Sequence, residues 1–314
     1  MNPITIIPFI IGILSLWLGG GWLVKGAQSI GFRLKLSPMV TGLTIVAFGT
    51  SAPELVINLI ASYRHQPDIV FGNIIGSNLA NMLLILGCTG LIFPLVIQKS
   101  KLVKEMGYTI LFPIALLILL LIVPPIMAIT PFKALILLVI FGYFLIDVIV
   151  KKACSSSISE PDKLPLFISL TYLILGIILL PIGGQLVIDS ANMIALSLGI
   201  SQALISLLAI AIGTSLPELS ASIMAAIHHD TDIAIGNVLG SNIFNIGLIL
   251  GLSGLVSPLS ISSTLIHHLY GLIIFSLLFS VGIFFKKSHQ ITQFESGLLL
   301  CGYVIFFVIV MNNG

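Results

Sequence analysis

GTSAPE occupies residues 49–54 and GTSLPE occupies residues 213–218, one hexapeptide written twice at a shift of 164 positions. The shift holds beyond the hexapeptide. GNIIGSNLAN at 72–81 returns as GNVLGSNIFN at 236–245, Gly19-Gly20 as Gly183-Gly184, Asp68 as Asp232 and Pro94 as Pro258, with no gap required. Self-similarity of this length marks an internal repeat, and its two copies account for nearly the whole chain.

The surroundings of the motif fix its solvent. Apolar residues make up 58% of the 314 positions and Asp, Glu, Lys and Arg only 8%, against roughly 25% charged in an ordinary soluble domain. Apolar runs of the roughly 20 residues needed to cross a hydrocarbon core recur throughout. With polar clusters, Gly and Pro as punctuation, spans are expected near 4–30, 38–64, 68–94, 102–123, 131–150, 165–191, 201–228, 232–257, 264–285 and 291–311. Each copy then holds five spans, an odd number, so the second enters the membrane from the opposite side. The expected fold is an all-α integral membrane protein of about ten transmembrane helices in two inverted five-helix repeats, residues 1–150 and 165–314, joined by a polar linker at 151–164. The N-terminal stretch lacks the basic region of a cleavable signal and reads as the first helix, retained.

Charge sets the orientation. With the termini outside, Arg33, Lys35, Lys99, Lys101, Lys104, Lys151, Lys152, Lys163, Lys286 and Lys287 fall in cytoplasmic connections and only Arg64 and Lys133 fall outside. That is a strong positive-inside bias, and it places the linker in the cytoplasm of what reads as a prokaryotic plasma membrane protein. Lys25 snorkels toward the cytoplasmic end of the first span. A net charge of +2 gives no footprint for nucleic acid. Cys88, Cys154 and Cys301 are isolated from one another and from His at metal-ligand spacing, so they read as packing residues or free thiols. No cofactor is expected.

Glu54 and Glu218 lie midway along apolar spans, where an ionised carboxylate costs at least about 2.5–3.5 kcal/mol. Lys and Arg are absent from the span centres, so a mobile cation is the simplest partner; the bland alternative is a protonated Glu bonded between helices. Pro53 and Pro217 remove a backbone donor opposite Gly49 and Gly213, freeing carbonyl oxygens beside the carboxylates. Thr50 with Glu54, and Thr214 with Glu218, are one helical turn apart, as are Ser77 with Asn81 and Ser241 with Asn245. Gly72, Gly76, Gly236 and Gly240 are small enough for close helix approach. Asn73, Asn78, Asn237 and Asn242 read as bridges between helices or as ligands. All these groups offer oxygen and none is Cys or His, which selects hard cations such as Na+ or Ca2+.

The paired GTS-x-PE and GN-x-x-GSN motifs, one pair per half, resemble the sodium/calcium exchangers of the cation/calcium antiporter superfamily, over nearly all ten spans. The resemblance implies secondary antiport by alternating access, with three sodium ions entering per calcium expelled. It implies a calcium site of Thr50, Glu54, Thr214 and Glu218. It implies sodium sites drawing on Ala47, Ser51, Ser77, Ala211, Ser215 and Ser241 beside those four, with Asn81 and Asn245 bordering the centre. Potassium-dependent relatives characteristically carry an aspartate where this chain has Asn245, so transport independent of potassium is expected. The rivals are calcium/proton exchange or potassium-dependent exchange on the same scaffold and, from another class, an intramembrane hydrolase using two carboxylates; the chain is read as no enzyme. Oligomeric state is left open.

The remaining polar residues read quietly. Asp147 and Lys151 suit a local pair, Asp189 sits near an external helix end, Asp68 and Asp232 favour helix N-termini, and His228, His229, His267 and His268 are interfacial.

Overall fold

The computed structural model describes residues 3–96, 99–123, 127–152, 164–197, 213–285 and 290–313. The elements are α1 (Pro3–Arg33), α2 (Pro38–Thr50), α3 (Ala52–Tyr63), α4 (Pro67–Ile92), β1 (Leu95–Val96), α5 (Lys99–Leu121), β2 (Ala128–Ile129), α6 (Pro131–Lys152), α7 (Leu166–Ser197), α8 (Leu216–Ile227), α9 (Thr231–Val256), β3 (Leu259–Ser260), α10 (Ser263–Phe285), β4 (Gln290–Ile291) and α11 (Gln293–Asn313). They follow the expected order of spans, α2 and α3 together making the second. The first half of the seventh, with Ala211, lies outside the described residues, as does Cys154.

Local chemistry sets the ends and breaks. Ser37 caps α2 by accepting from the Val40 N–H at 3.3 Å, with Pro38 next in line where its missing N–H is harmless. Thirteen residues later the span breaks: Ser51 leaves helical geometry at φ −85° and ψ 6°, and α3 departs from α2 at 49°. Pro53, in the first turn of α3, has no N–H to return to the Gly49 carbonyl. Ser215 repeats the conformation at φ −88° and ψ −1° ahead of Pro217. At their far ends α3 and α8 reverse through His65 and His229, residues at the same place in the repeat, both with positive φ (54° and 62°).

The inverted relation is visible in contacts between halves. His65 meets the Ser257 hydroxyl at 2.9 Å while its mate His229 sits edge-on to Phe93, the mate of Ser257. The antiparallel pair β1–β4 lies on the face carrying the linker and β2–β3 on the opposite face, as helix-crossing parity requires. Helices α4 and α9 form the centre: 78% and 94% of their apolar windows are buried, against 22–39% for α1, α6, α7 and α10. Ile74, Ile85, Val238 and Leu250 pack there, while Ile7, Leu14, Phe167, Ile274 and Phe294 stand exposed on the outer belt, where lipid is the apolar partner.

Glycine brings backbones together where the site forms. A Cβ on Gly236 would stand 2.6 Å from the Met39 carbonyl oxygen, and one on Gly240 2.6 Å from that of Leu43, so α9 rides directly on α2. Gly76 has no described atom within 4 Å; the positions its mate's contacts point to, residues 207 and 211, lie outside the described residues. Asp147 accepts from the Tyr108 hydroxyl at 2.8 Å, a partner from the neighbouring helix; the Lys151 side chain lies outside the described set.

Candidate functional site

The breaks at Ser51 and Ser215 face each other across α4 and α9, and the motif residues converge between them. Thr50, Ser51, Glu54, Ser77, Asn81, Ser215, Glu218, Ser241 and Asn245 are all buried. The bend at Ser51 also brings residues of the two halves together across the centre. Thr50 and Ser51 stand beside Glu218, Ser51 donating to Oε1 at 3.0 Å, and Thr214 stands beside Glu54. The carboxylates are near enough for their charges to interact. Among the described residues Ser51 is the hydroxyl that donates to an acid of the other half.

The serines and threonines are also cross-paired. The Thr50 hydroxyl lies 3.5 Å from that of Ser241, and the Ser77 hydroxyl 3.3 Å from that of Thr214, two versions of one contact exchanged by the repeat. Ala47 gives its carbonyl to the Ser51 N–H and lies within reach of the Thr50 hydroxyl.

The asparagines form a two-fold knot. Asn245 donates to Asn78 Oδ1 at 2.8 Å and Asn81 donates to Asn242 Oδ1 at 2.9 Å. Asn78 Nδ2 is anchored on the Asn242 carbonyl at 3.2 Å, which can only accept, so Asn78 must turn its oxygen toward Asn245 and Asn245 must answer with nitrogen. The amide oxygen of Asn245 is left facing inward. Together with both Glu54 oxygens, one Glu218 oxygen and the Asn81 amide oxygen, it completes a set of five buried acceptors without a hydrogen-bond partner among the described residues.

A buried unsatisfied acceptor is destabilising, and five on residues of the repeated motifs call for a remedy. A hard cation, which takes only oxygen lone pairs, supplies it.

Two features lay outside the sequence reading. Asn81 and Asn245 each open a π-helical turn, Asn81–Ile85 and Asn245–Ile249, which resets the face presented by the rest of the helix. Asn58 and Ser222 are fully buried beside the glutamates, Asn58 donating to the Glu54 carbonyl at 2.7 Å. They are mates under the same 164-residue shift, and that shift applied to every polar residue would have found them.

Access is unequal. A cavity of about 650 Å³ runs from Asp68 and Asp189, on the face opposite the linker, past Pro53 and Pro217 to Asn73 and Thr214. Gly184 lines it, its nearest neighbours 3.8 Å from an added Cβ, whereas its mate Gly20 is pressed against Ser220, 2.6 Å from the hydroxyl. Among the described residues, the Gly184 side opens to this cavity and the Gly20 side is packed against Ser220.

The chain matches the family described as sodium/calcium exchanger protein over residues 4–150 and 168–312. It is 36% identical to a putative antiporter, CaxA, of Alkalimonas amylolytica over 79% of this chain and 80% of that one. It is 29% identical to the sodium/calcium exchanger MaX1 of Methanosarcina acetivorans over 99% of each. The solved structure of the sodium-calcium exchanger NCX_Mj superposes with a TM-score of 0.83 at 32% identity, covering 99% of this chain and 100% of that one. A doubled acidic motif on an inverted ten-span fold, an oxygen-lined centre and these matches have one reading: the chain belongs to the sodium/calcium exchanger protein family.

Proposed function

We propose that this chain exchanges sodium for calcium across a prokaryotic plasma membrane, sodium entry driving calcium out through one centre exposed alternately to each side. The observation that carries the reading is the set of unpartnered buried oxygens from Glu54, Glu218, Asn81 and Asn245. Two glutamates neutralise one Ca2+, and the hydroxyl pairs on either side give Na+ smaller oxygen sets. The calcium ligands are Glu54, Glu218, Thr50 and Thr214; Ser51, Ser77, Ser215 and Ser241, with the Ala47 and Ala211 carbonyls, serve the flanking sodium ions.

Asn245 is an amide and cannot ionise, so the centre carries at most two negative charges and has no third carboxylate to retain K+. Exchange of three sodium ions for one calcium moves one net positive charge inward, and an inside-negative potential then contributes about 2.3 kcal/mol per 100 mV to extrusion. Sodium-driven calcium flux in proteoliposomes, with potassium replaced by choline and the potential clamped, is expected to continue undiminished and to steepen with inside-negative voltage. Flux that stops without potassium overturns the assignment of Asn245; flux indifferent to voltage overturns the charge count; calcium flux driven by a proton gradient and not by sodium overturns the coupling.

The positive-inside count puts the linker in the cytoplasm and the open cavity outside. A membrane-impermeant maleimide is expected to label Cys154 in inverted vesicles and not in intact cells; the reverse pattern overturns this orientation.

A further inference from the structure

The two halves are not equivalent at one pair of mates. In the first half, Asn58 Nδ2 lies 2.7 Å from the Glu54 carbonyl and 2.7 Å from Asn73 Oδ1. A backbone carbonyl only accepts, so the Asn58 atom is nitrogen, the Asn73 atom facing it is oxygen, and Asn73 turns its N–H groups toward Thr214 Oγ1 at 3.3 Å. In the second half Ser222 stands where Asn58 stood, and its hydroxyl faces the Asn237 side chain. Asn237 Nδ2 takes that place, 3.3 Å from the Glu218 carbonyl and 3.0 Å from Ser222 Oγ. Its oxygen therefore points the other way, accepting from the Thr50 hydroxyl at 3.2 Å.

The mates are thus turned end for end. Beside Thr50 and Ser241 the amide offers a carbonyl oxygen, and the threonine that donates to it keeps its lone pairs for other partners. Beside Thr214 and Ser77 it offers N–H, which occupies a threonine lone pair and turns positive hydrogens toward any cation. We infer that Asn237 is a cation ligand through Oδ1 and Asn73 is not, with Asn58 and Ser222 as positioning residues that hold the two amides in opposite senses. The sodium site beside Thr50 accordingly binds more tightly than its mate beside Thr214. This inference rests on the exchanger reading of the centre.

The test is equilibrium displacement of bound 45Ca2+ by Na+ from the purified full-length protein. Ser222→Asn installs the first-half arrangement in the second and turns the Asn237 oxygen away. Half-displacement is expected to need about tenfold more Na+, the worth of one hydrogen-bond-class contact to a charge, with a lower Hill coefficient. Asn58→Ser frees Asn73 to present its oxygen and is expected to lower the Na+ requirement. A merely structural role moves both variants the same way, and thermal unfolding of each separates misfolding from a binding change. Shifts in the same direction, or none in either folded variant, overturn the inference while leaving exchange intact. Wild-type protein whose calcium Na+ cannot displace at all overturns the exchanger reading and this inference with it. If Ser222→Asn does not fold, Asn58→Ser alone decides: an unchanged or higher Na+ requirement is adverse.

Discussion

Glu54→Gln and Glu218→Gln each abolish sodium-driven calcium flux, reducing it to the rate of empty liposomes, while the purified proteins stay folded. Both carboxyl groups are buried, and three of their four oxygens have no hydrogen-bond partner among the described residues. Glutamine keeps the shape, removes the charge, and puts an N–H₂ into a centre lined with acceptors, where it competes for the very oxygens a cation needs. Removing an uncompensated carboxylate from the membrane interior relieves about 2.5–3.5 kcal/mol of burial penalty, so unfolding temperature is expected to hold or rise as transport disappears. Stability and activity moving apart is what distinguishes a transport ligand from a structural acid. Flux at the wild-type rate in both variants overturns the site, and loss of folding in both overturns the claim that these acids are there for the ion.

The second large effect is steric. Gly240→Leu places its Cβ 2.6 Å from the Leu43 carbonyl oxygen and 2.7 Å from Ala47 Cβ. Backbone cannot step aside as a flexible side chain can, so α9 and α2 must separate, with an overpacking penalty of roughly 1–3 kcal/mol or more. That separation pulls Asn237 and Ser241 from Thr50, contacts of 3.2 and 3.5 Å with no slack. A lowered unfolding temperature and complete loss of flux are expected. Gly107→Leu is the control: this glycine is exposed, with no described atom within 4 Å, and both readouts are expected near wild type. A transporting Gly240→Leu protein shows that close approach of α2 and α9 is dispensable.

Much of this was legible in the sequence because duplication doubles every signal. One GTSAPE is a short string; a second at 164 residues carries the topology, the pairing of the acids and the roles of their neighbours. Glycine spacing also pointed to a close helix approach, and at Gly236 and Gly240 the partner proves to be α2. What stayed hidden depends on geometry that residue spacing does not encode. Counting four residues from Thr50 to Glu54 assumes an unbroken helix and gives no sign of the 49° bend at Ser51, nor that Ser51 donates to the acid of the other half. The π turns that begin at Asn81 and Asn245 leave no mark in residue spacing. The reversed amides of Asn73 and Asn237 follow from hydrogen bonds between helices, and identical letters at mated positions suggested equivalence where there is none.

The two-residue ribbons have a mechanical meaning. On one face β1–β4 staples the connection of α4 and α5 to that of α10 and α11, and on the other β2–β3 staples the connection of α5 and α6 to that of α9 and α10. A helix in this group that slid along the membrane normal past its neighbours would tear a strand pair, so the group behaves as a chassis. Helices α1 and α7 carry no staple among the described residues and are instead geared to each other, glycine on backbone, with a Cβ at Gly26, Gly176 or Gly183 lying 2.7–2.9 Å from the partner helix. In the exchange proposed above, the ribbons would mark the fixed part and α1 with α7 the carriage. Crosslinking α1 to α7 would leave such a carriage free to run, whereas pinning α1 to α8 would jam it.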